Sequence, residues 1–304
     1  MRLLFVLKMM AMAAAPVVPL VAADTSRERI EAGVRAQKAG DLKTASAAYR
    51  EVLEKDPLLT RVRHLLGVSE LQAGNIGEGI RQLEIVRREN PSNRQAIYTL
   101  LSTYIATGMA APAGKIMESN LRGDLSAAGR FMRGSYAMAQ GEYDVSIREL
   151  RQARKLDARL PGVSSQLGIA YCFANRLEEA LPVLESALRE NPSDGNAAAF
   201  LGWLYKDRDR NPEAAALLEQ TVRARPEDHG ALFLLAQLTQ SRGDSVKAVA
   251  LLEQIIAREP GHRAAHVLLA RWYQQLDRAN DAARERAVVE RLNLELQASQ
   301  PKVD

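Results

Sequence analysis

Cysteine is almost missing: Cys172 is the only one in 304 residues. A chain with one cysteine forms no internal disulfide and offers no paired thiols for a zinc site, so its stability must come from packing. The expected place for this residue is a buried, small apolar position. Histidine is nearly as scarce, with four copies at His64, His229, His262 and His266. The last two form "HRAAH", but a zinc-protease helix would need Glu where Arg263 stands, and no third ligand is identifiable. There is no phosphate loop and no Gly-x-Ser-x-Gly elbow. Acidic pairs such as Glu178 and Glu179 fall in amphipathic stretches, where a solvated helix face explains them better than catalysis. The reading is a non-enzyme with no metal and no cofactor.

Charge of one sign is also missing. The chain has 41 Lys and Arg against 37 Asp and Glu, and Arg2 and Lys8 lie in an N-terminal leader, leaving 39 against 37. That balance gives no support to nucleic-acid binding. Apolar residues make up 47% and charged residues 26%, the proportions of a folded globular chain rather than a disordered one.

The first 23 residues, "MRLLFVLKMMAMAAAPVVPLVAA", differ from all that follow. Lys8 ends a basic region, and Met9 to Ala22 is uncharged over 14 residues, the length of a signal-peptide core and short for a membrane span. Val21 and Ala23 are the small residues a signal peptidase needs, so cleavage is expected before Asp24. The alternative is an uncleaved N-terminal anchor, which Leu3 to Leu7 would lengthen. The domain layout is therefore a leader over 1–23, a folded array over 24–299 and a short disordered tail over 300–304. The location is periplasmic or secreted, or inner-membrane anchored by the N-terminus.

What is abundant is repetition. Pro57 and Pro91 are 34 residues apart, as are Pro192, Pro226 and Pro260 in succession, with Ala158 standing in for proline between the two sets. In the same frame "LGIAY" at Leu167 recurs as "LGWLY" at Leu201, with weaker forms at Leu66 and Leu100 and "LLARWY" at Leu268. About twelve residues later come a small residue and then a large apolar one, as at Ala45 and Tyr49, Ala180 and Leu184, or Ala248 and Leu252. Intervals of three and four are helical, so each repeat is a pair of helices. Gly33, Gly67, Gly134, Gly168 and Gly202 mark where the two helices touch. Gly40, Gly74, Gly141 and Gly243 mark left-handed turns between them, and "RNPEAA" reads as a helix start with Asn211 as N-cap.

These residues resemble the tetratricopeptide repeat, a 34-residue helix-turn-helix with Leu-Gly-x-x-Tyr in the first helix, small and large residues in the second, and a terminal proline. The resemblance covers residues 26 to about 290, with repeats starting near Ser26, Thr60, Arg94, Ala127, Pro161, Gly195 and His229 and a terminal pair from Arg263. It implies an all-α, right-handed α-solenoid of about seven full repeats plus a C-terminal helix pair acting as cap. Repeat three departs from the pattern: it has Gly114 inside its second helix, no proline and one residue fewer, so a kink or loosening is expected there. The last helix carries Arg286 where an apolar residue belongs and reads as a polar cap.

In this family the first helices line a concave groove, and ligand contacts fall at repeat positions 2, 5, 9 and 12. The resemblance therefore implies a protein–protein interaction scaffold whose groove binds another protein or a peptide segment. The candidate contacts are Tyr98, Ser102, Phe131, Ser135 and Met138, then Trp203, Lys206, Phe233, Gln237 and Arg271. Large aromatics on such a surface are anchors for a partner's side chains; for Phe131 and Phe233 the competing expectation is packing against the neighbouring repeat. None of the residues at positions 5 and 9 from repeat two onward is Lys or Asn, which disfavours capture of acidic chaperone tails. A structural adaptor in a secretion or polysaccharide-export complex, working through the convex face, is the alternative. The membrane enters only through the leader.

Overall fold

The protein is described here by a computed structural model covering residues 24–299. The proposed leader and tail lie outside those residues. Among the described residues there are sixteen α-helices and no strand, and the chain divides into two compact units at Val163/Ser164. In unit 1 the helices are α1 (Asp24–Lys38), α2 (Leu42–Lys55), α3 (Thr60–Gln72), α4 (Ile76–Glu89), α5 (Arg94–Ala106), α6 (Ala110–Ile116), α7 (Ala127–Ala139) and α8 (Tyr143–Leu156). Unit 2 contains α9 (Val163–Phe173), α10 (Leu177–Glu190), α11 (Gly195–Asp207), α12 (Asn211–Ala224), α13 (His229–Ser241), α14 (Ser245–Arg258), α15 (Arg263–Gln275) and α16 (Ala279–Ser299). Odd-numbered helices open a repeat and even-numbered ones close it. Six of the eight expected repeat starts coincide with the first residue of a helix.

Most pairs close on one small residue. A Cβ added to Gly67 would lie 2.8 Å from Leu83, one on Gly134 2.7 Å from Leu150, and one on Gly202 2.9 Å from Leu218. The missing side chain thus lets the fully buried leucine of the second helix seat against backbone. Each such leucine contributes about 1.5–3 kcal/mol of burial. The turn between paired helices carries a left-handed residue at Gly40, Gly74, Gly108, Gly141, Asn175, Asp209, Gly243 and Asp277, with φ from 55° to 89°. Four of these were expected; Gly108 and the three polar residues complete the set.

The proline joints between repeats are built from side-chain caps. The residue before the proline ends a second helix, and its side chain turns back: Asp56, Asn90 and Asn191 accept from the amides of Leu58, Ser92 and Ser193 at 3.1, 3.3 and 3.2 Å. Two residues beyond the proline another side chain opens the next helix. Asn93, Asp194 and Asp228 accept from Ala96, Ala197 and Ala231 at 3.0–3.1 Å. His262 does the same through Nδ1 toward Ala265 at 3.1 Å. Proline stops one helix, and the cap satisfies the first free amides of the next. The expected cap at Asn211 is corrected: Arg210 is the N-cap residue without a side-chain bond, Asn211 is already helical, and Pro212 occupies the first turn.

Repeat three does depart from the others. Leu101, fully buried, stands where the glycines stand elsewhere. With that side chain in the contact, the second helix cannot seat Met117 as Leu83 is seated one repeat earlier. The α-helix ends at Ile116 and a π-helical turn runs Met117–Leu121. The joint that follows has no proline and is held by charge. Asp124 accepts from Arg94 at 3.0 Å and from the Tyr98 hydroxyl at 2.6 Å, and Arg133 donates to the carbonyls of Leu121 and Asp124. At the other end, α16 leaves Arg286, Glu290 and Arg291 exposed, the polar face of a cap.

Candidate interaction surface

The first helices of the two units hold their candidate residues in different states. In unit 1, Tyr98 is tied to Asp124, and burial together with that carboxylate pushes its hydroxyl above the ordinary tyrosine range. Ser102 is only 4% exposed, with Oγ 3.6 Å from the sulfur of Met132, so it cannot line an open groove. That is a correction to its expected role: the close packing of α5 on α7 turns position 9 inward here. Phe131 is half-buried against the same core, Ser135 donates to the Phe131 carbonyl at 2.9 Å, and Met138 is half-buried.

In unit 2 more of the surface is free. Trp203 and Lys206 are half-buried one turn apart on α11, and Lys206 Nζ donates to Gln237 Oε1 of α13 at 3.2 Å, joining two expected residues. Arg271 on α15 is exposed. Phe233 packs against the core and lies 5.7 Å from the His262 ring, so of its two expected roles packing prevails. Position counting missed a further aromatic pair. Phe173, 49% exposed at the end of α9, and Phe200 on α11 have ring centroids 5.7 Å apart at 57°. Phe200 precedes Trp203 by three residues, so three aromatic rings and Lys206 follow one face of unit 2. The signal was present as Phe-x-x-Trp-x-x-Lys, but Phe173 and Phe200 sit outside the four family positions.

The histidines are structural. Burial holds His64 down to about 4, neutral at physiological pH. His229 meets Glu259 at 2.8 Å, and His266 lies between Glu285 and the Pro260 carbonyl. Cys172 is half-buried, and burial pushes its thiol up to about 12. Among the described residues no group of three or more His, Cys, Asp or Glu could hold a metal ion, and no helix is long and apolar enough to cross a membrane.

Helix pairs stacked in register, with a surface of aromatic, amide and cationic side chains, define an α-solenoid of the interaction-scaffold class. More narrowly, the chain belongs to the tetratricopeptide repeat family. Models of that family match residues 30–93, 131–195 and 174–238, and a model described as anaphase-promoting complex, cyclosome, subunit 3 matches 207–285. Members are generally non-enzymatic scaffolds for protein partners. The chain is 25% identical over 179 residues to cellulose synthase operon protein C of Pseudomonas fluorescens, covering 54% of this chain but 14% of that protein. A tetratricopeptide repeat protein from Parabacteroides merdae superposes with a TM-score of 0.63 at 15% identity, over 81% of this chain and 98% of that one. The Cut9 and Hcn1 hetero-tetramer gives 0.67 at 16% identity, over 79% and 48%. At these identities the likeness is one of fold.

Proposed function

We propose that this chain is a scaffold of the periplasm or cell envelope, exported through the leader at 1–23, whose unit 2 binds an extended segment of another protein across its first helices. The observation that carries the reading is the face of α11, where Trp203 is left partly open between Phe200 and Lys206, with Arg271 exposed two repeats on. Such a surface gains affinity from several shallow contacts on a preformed support, with little ordering cost on the scaffold's side. The relative named cellulose synthase operon protein C supports a place beside a polysaccharide-export system, where the convex second helices would serve an adaptor.

The test is in-cell photocrosslinking. Probes at Trp203, Lys206 and Arg271 are expected to trap one discrete partner, and probes on the exposed faces of α10 and α12 none. Trapping from α10 and α12 alone would sink the groove reading in favour of the adaptor. Trp203→Ala with Arg271→Ala should leave the melting temperature nearly unchanged and abolish the crosslink from Lys206.

A further inference from the structure

All the joints of unit 1 lie along one edge. Thr60, the first residue of α3, reaches Glu89, the last of α4, and Arg94 at the start of α5 reaches the carbonyl of Asn120. First helices therefore begin, and second helices end, on the same side. That edge carries apolar side chains left open among the described residues: Leu58 is 79% exposed, Leu125 65% and Leu156 58%. Beside Leu125 and Leu156, Arg122, Lys155 and Arg159 are exposed, and Leu58 follows the exposed Lys55 and Asp56. The neighbouring carboxylates Asp56 and Asp157 are bent back to accept the amides of Leu58 and Arg159, inside their own turns. At the place of Leu58 and Leu125, two residues before a first helix, the joint after α4 presents Ser92 and the joints of unit 2 present Ser193, Glu227 and Gly261. Unit 1 is also the basic half: from Asp24 to Val163 there are 22 Lys and Arg against 17 Asp and Glu, and from Ser164 onward 17 against 20.

Separated, protruding leucines, two of the three with exposed cations beside them, have the composition of a surface that rests on an anionic bilayer rather than of a packed protein interface. We propose that the joint edge of unit 1 faces a membrane. Leu58, Leu125 and Leu156 enter the headgroup and acyl-chain boundary of an anionic lipid surface, and Arg122, Lys155 and Arg159 meet its headgroups. The partner segment on unit 2 plays no part in this surface.

The test uses the full chain with Cys172→Ala, so that an environment-sensitive fluorophore can be attached at a single new cysteine. Leu58→Cys, Leu125→Cys and Leu156→Cys are compared with Ser193→Cys and Glu227→Cys. Vesicles of phosphatidylcholine containing phosphatidylglycerol are expected to raise and blue-shift emission at the three unit 1 sites, leaving the two unit 2 sites unchanged. Replacing Arg122, Lys155 and Arg159 together by Glu should raise the lipid needed for half the change by at least about tenfold, since cations near an anionic surface are attracted to it and the replaced charges are repelled. Binding through the leader alone would leave all five probes in water, and pure phosphatidylcholine acting equally well would remove the charge term. Either result overturns the proposal, as does an equal response at Ser193.

Discussion

Repeats three and six solve the same packing problem differently. In repeat six Gly202 lets Leu218 come against the backbone of α11, α12 runs unbroken from Asn211 to Ala224, and Asn-Pro and Arg-Pro joints flank it. In repeat three Leu101 fills the contact, the second helix dissolves into a π turn, and the joint is tied by Arg94, Tyr98 and Arg133 around Asp124. The lesson is that the 34-residue period tolerates losing its apolar contact when a buried polar network takes over the joint. Unit 2 keeps its frame by packing, and unit 1 keeps part of its frame by charge.

The sharpest way to break that comparison is to give repeat six the residue of repeat three. Gly202→Leu should cost about 3 kcal/mol or more, because overpacking a close contact costs about 1–3 kcal/mol even where the neighbours can shift. Here the neighbour is a leucine packed on all sides. Chemical denaturation checks it: the midpoint for unit 2 should fall well below that of the parent chain. A neutral result would mean that the glycine contact does not hold the pair together.

A second contrast concerns two buried joint carboxylates. At Asp124, burial alone would raise the carboxyl, but the Tyr98 hydroxyl, Ser126 and Arg94 outweigh it and hold it below the usual range. At Asp194, burial wins over the amides of Ala197 and Asn196 and over Arg225, and the carboxyl is raised. The signs are then opposite. Asp124 contributes stability that is present above its unfolded value of about 3.9 and is lost as pH falls through its lower folded value. Asp194 contributes stability that is present below that value and is lost as pH rises through its higher folded one. Asp124→Asn should cost about 1–3 kcal/mol at neutral pH, because it weakens charged hydrogen bonds, and should flatten the loss of stability in acid. Asp194→Asn, which still caps α11, should raise the melting temperature near pH 7. Melts from pH 3 to 7 that moved in the same direction for both variants would refute the distinction.

These sites show what the sequence made legible. Periodicity placed the helix pairs, the close glycines and the cap at α16, because each rests on local spacing. It pointed to trouble in repeat three through Gly114 and the missing residue, yet the physical cause is Leu101, whose effect depends on what faces it sixteen residues later. Ser102 was misplaced for the same kind of reason. Its repeat position indicates a face of α5, but α7 packs over that face. Tyr98 was placed on the correct helix, but its partner, Asp124, lies in a joint with no recurring motif. Phe173 and Phe200 were passed over because their pairing crosses from one repeat to the next.

The smallest contrast is in the turns. Unit 1 places glycine at all four left-handed positions between paired helices, whereas unit 2 uses Asn175, Asp209 and Asp277 at three of its four. A left-handed residue with a Cβ is disfavoured by about 1–2 kcal/mol, less for Asn and Asp, whose short polar side chains tolerate it. Glycine relieves that strain but gives the unfolded chain more freedom to lose. Asp209→Gly should therefore stabilise unit 2 by only a few tenths of a kcal/mol to about 1 kcal/mol. The reverse exchange at a matched turn, Gly141→Ala, should cost about 1 kcal/mol, since nothing around Gly141 blocks a methyl group and backbone strain is the main charge against it. If Asp209→Gly were destabilising by more than about 1 kcal/mol, the aspartate side chain would have to stabilise its turn beyond what its conformation costs, and the two units would differ in turn chemistry as well as in packing.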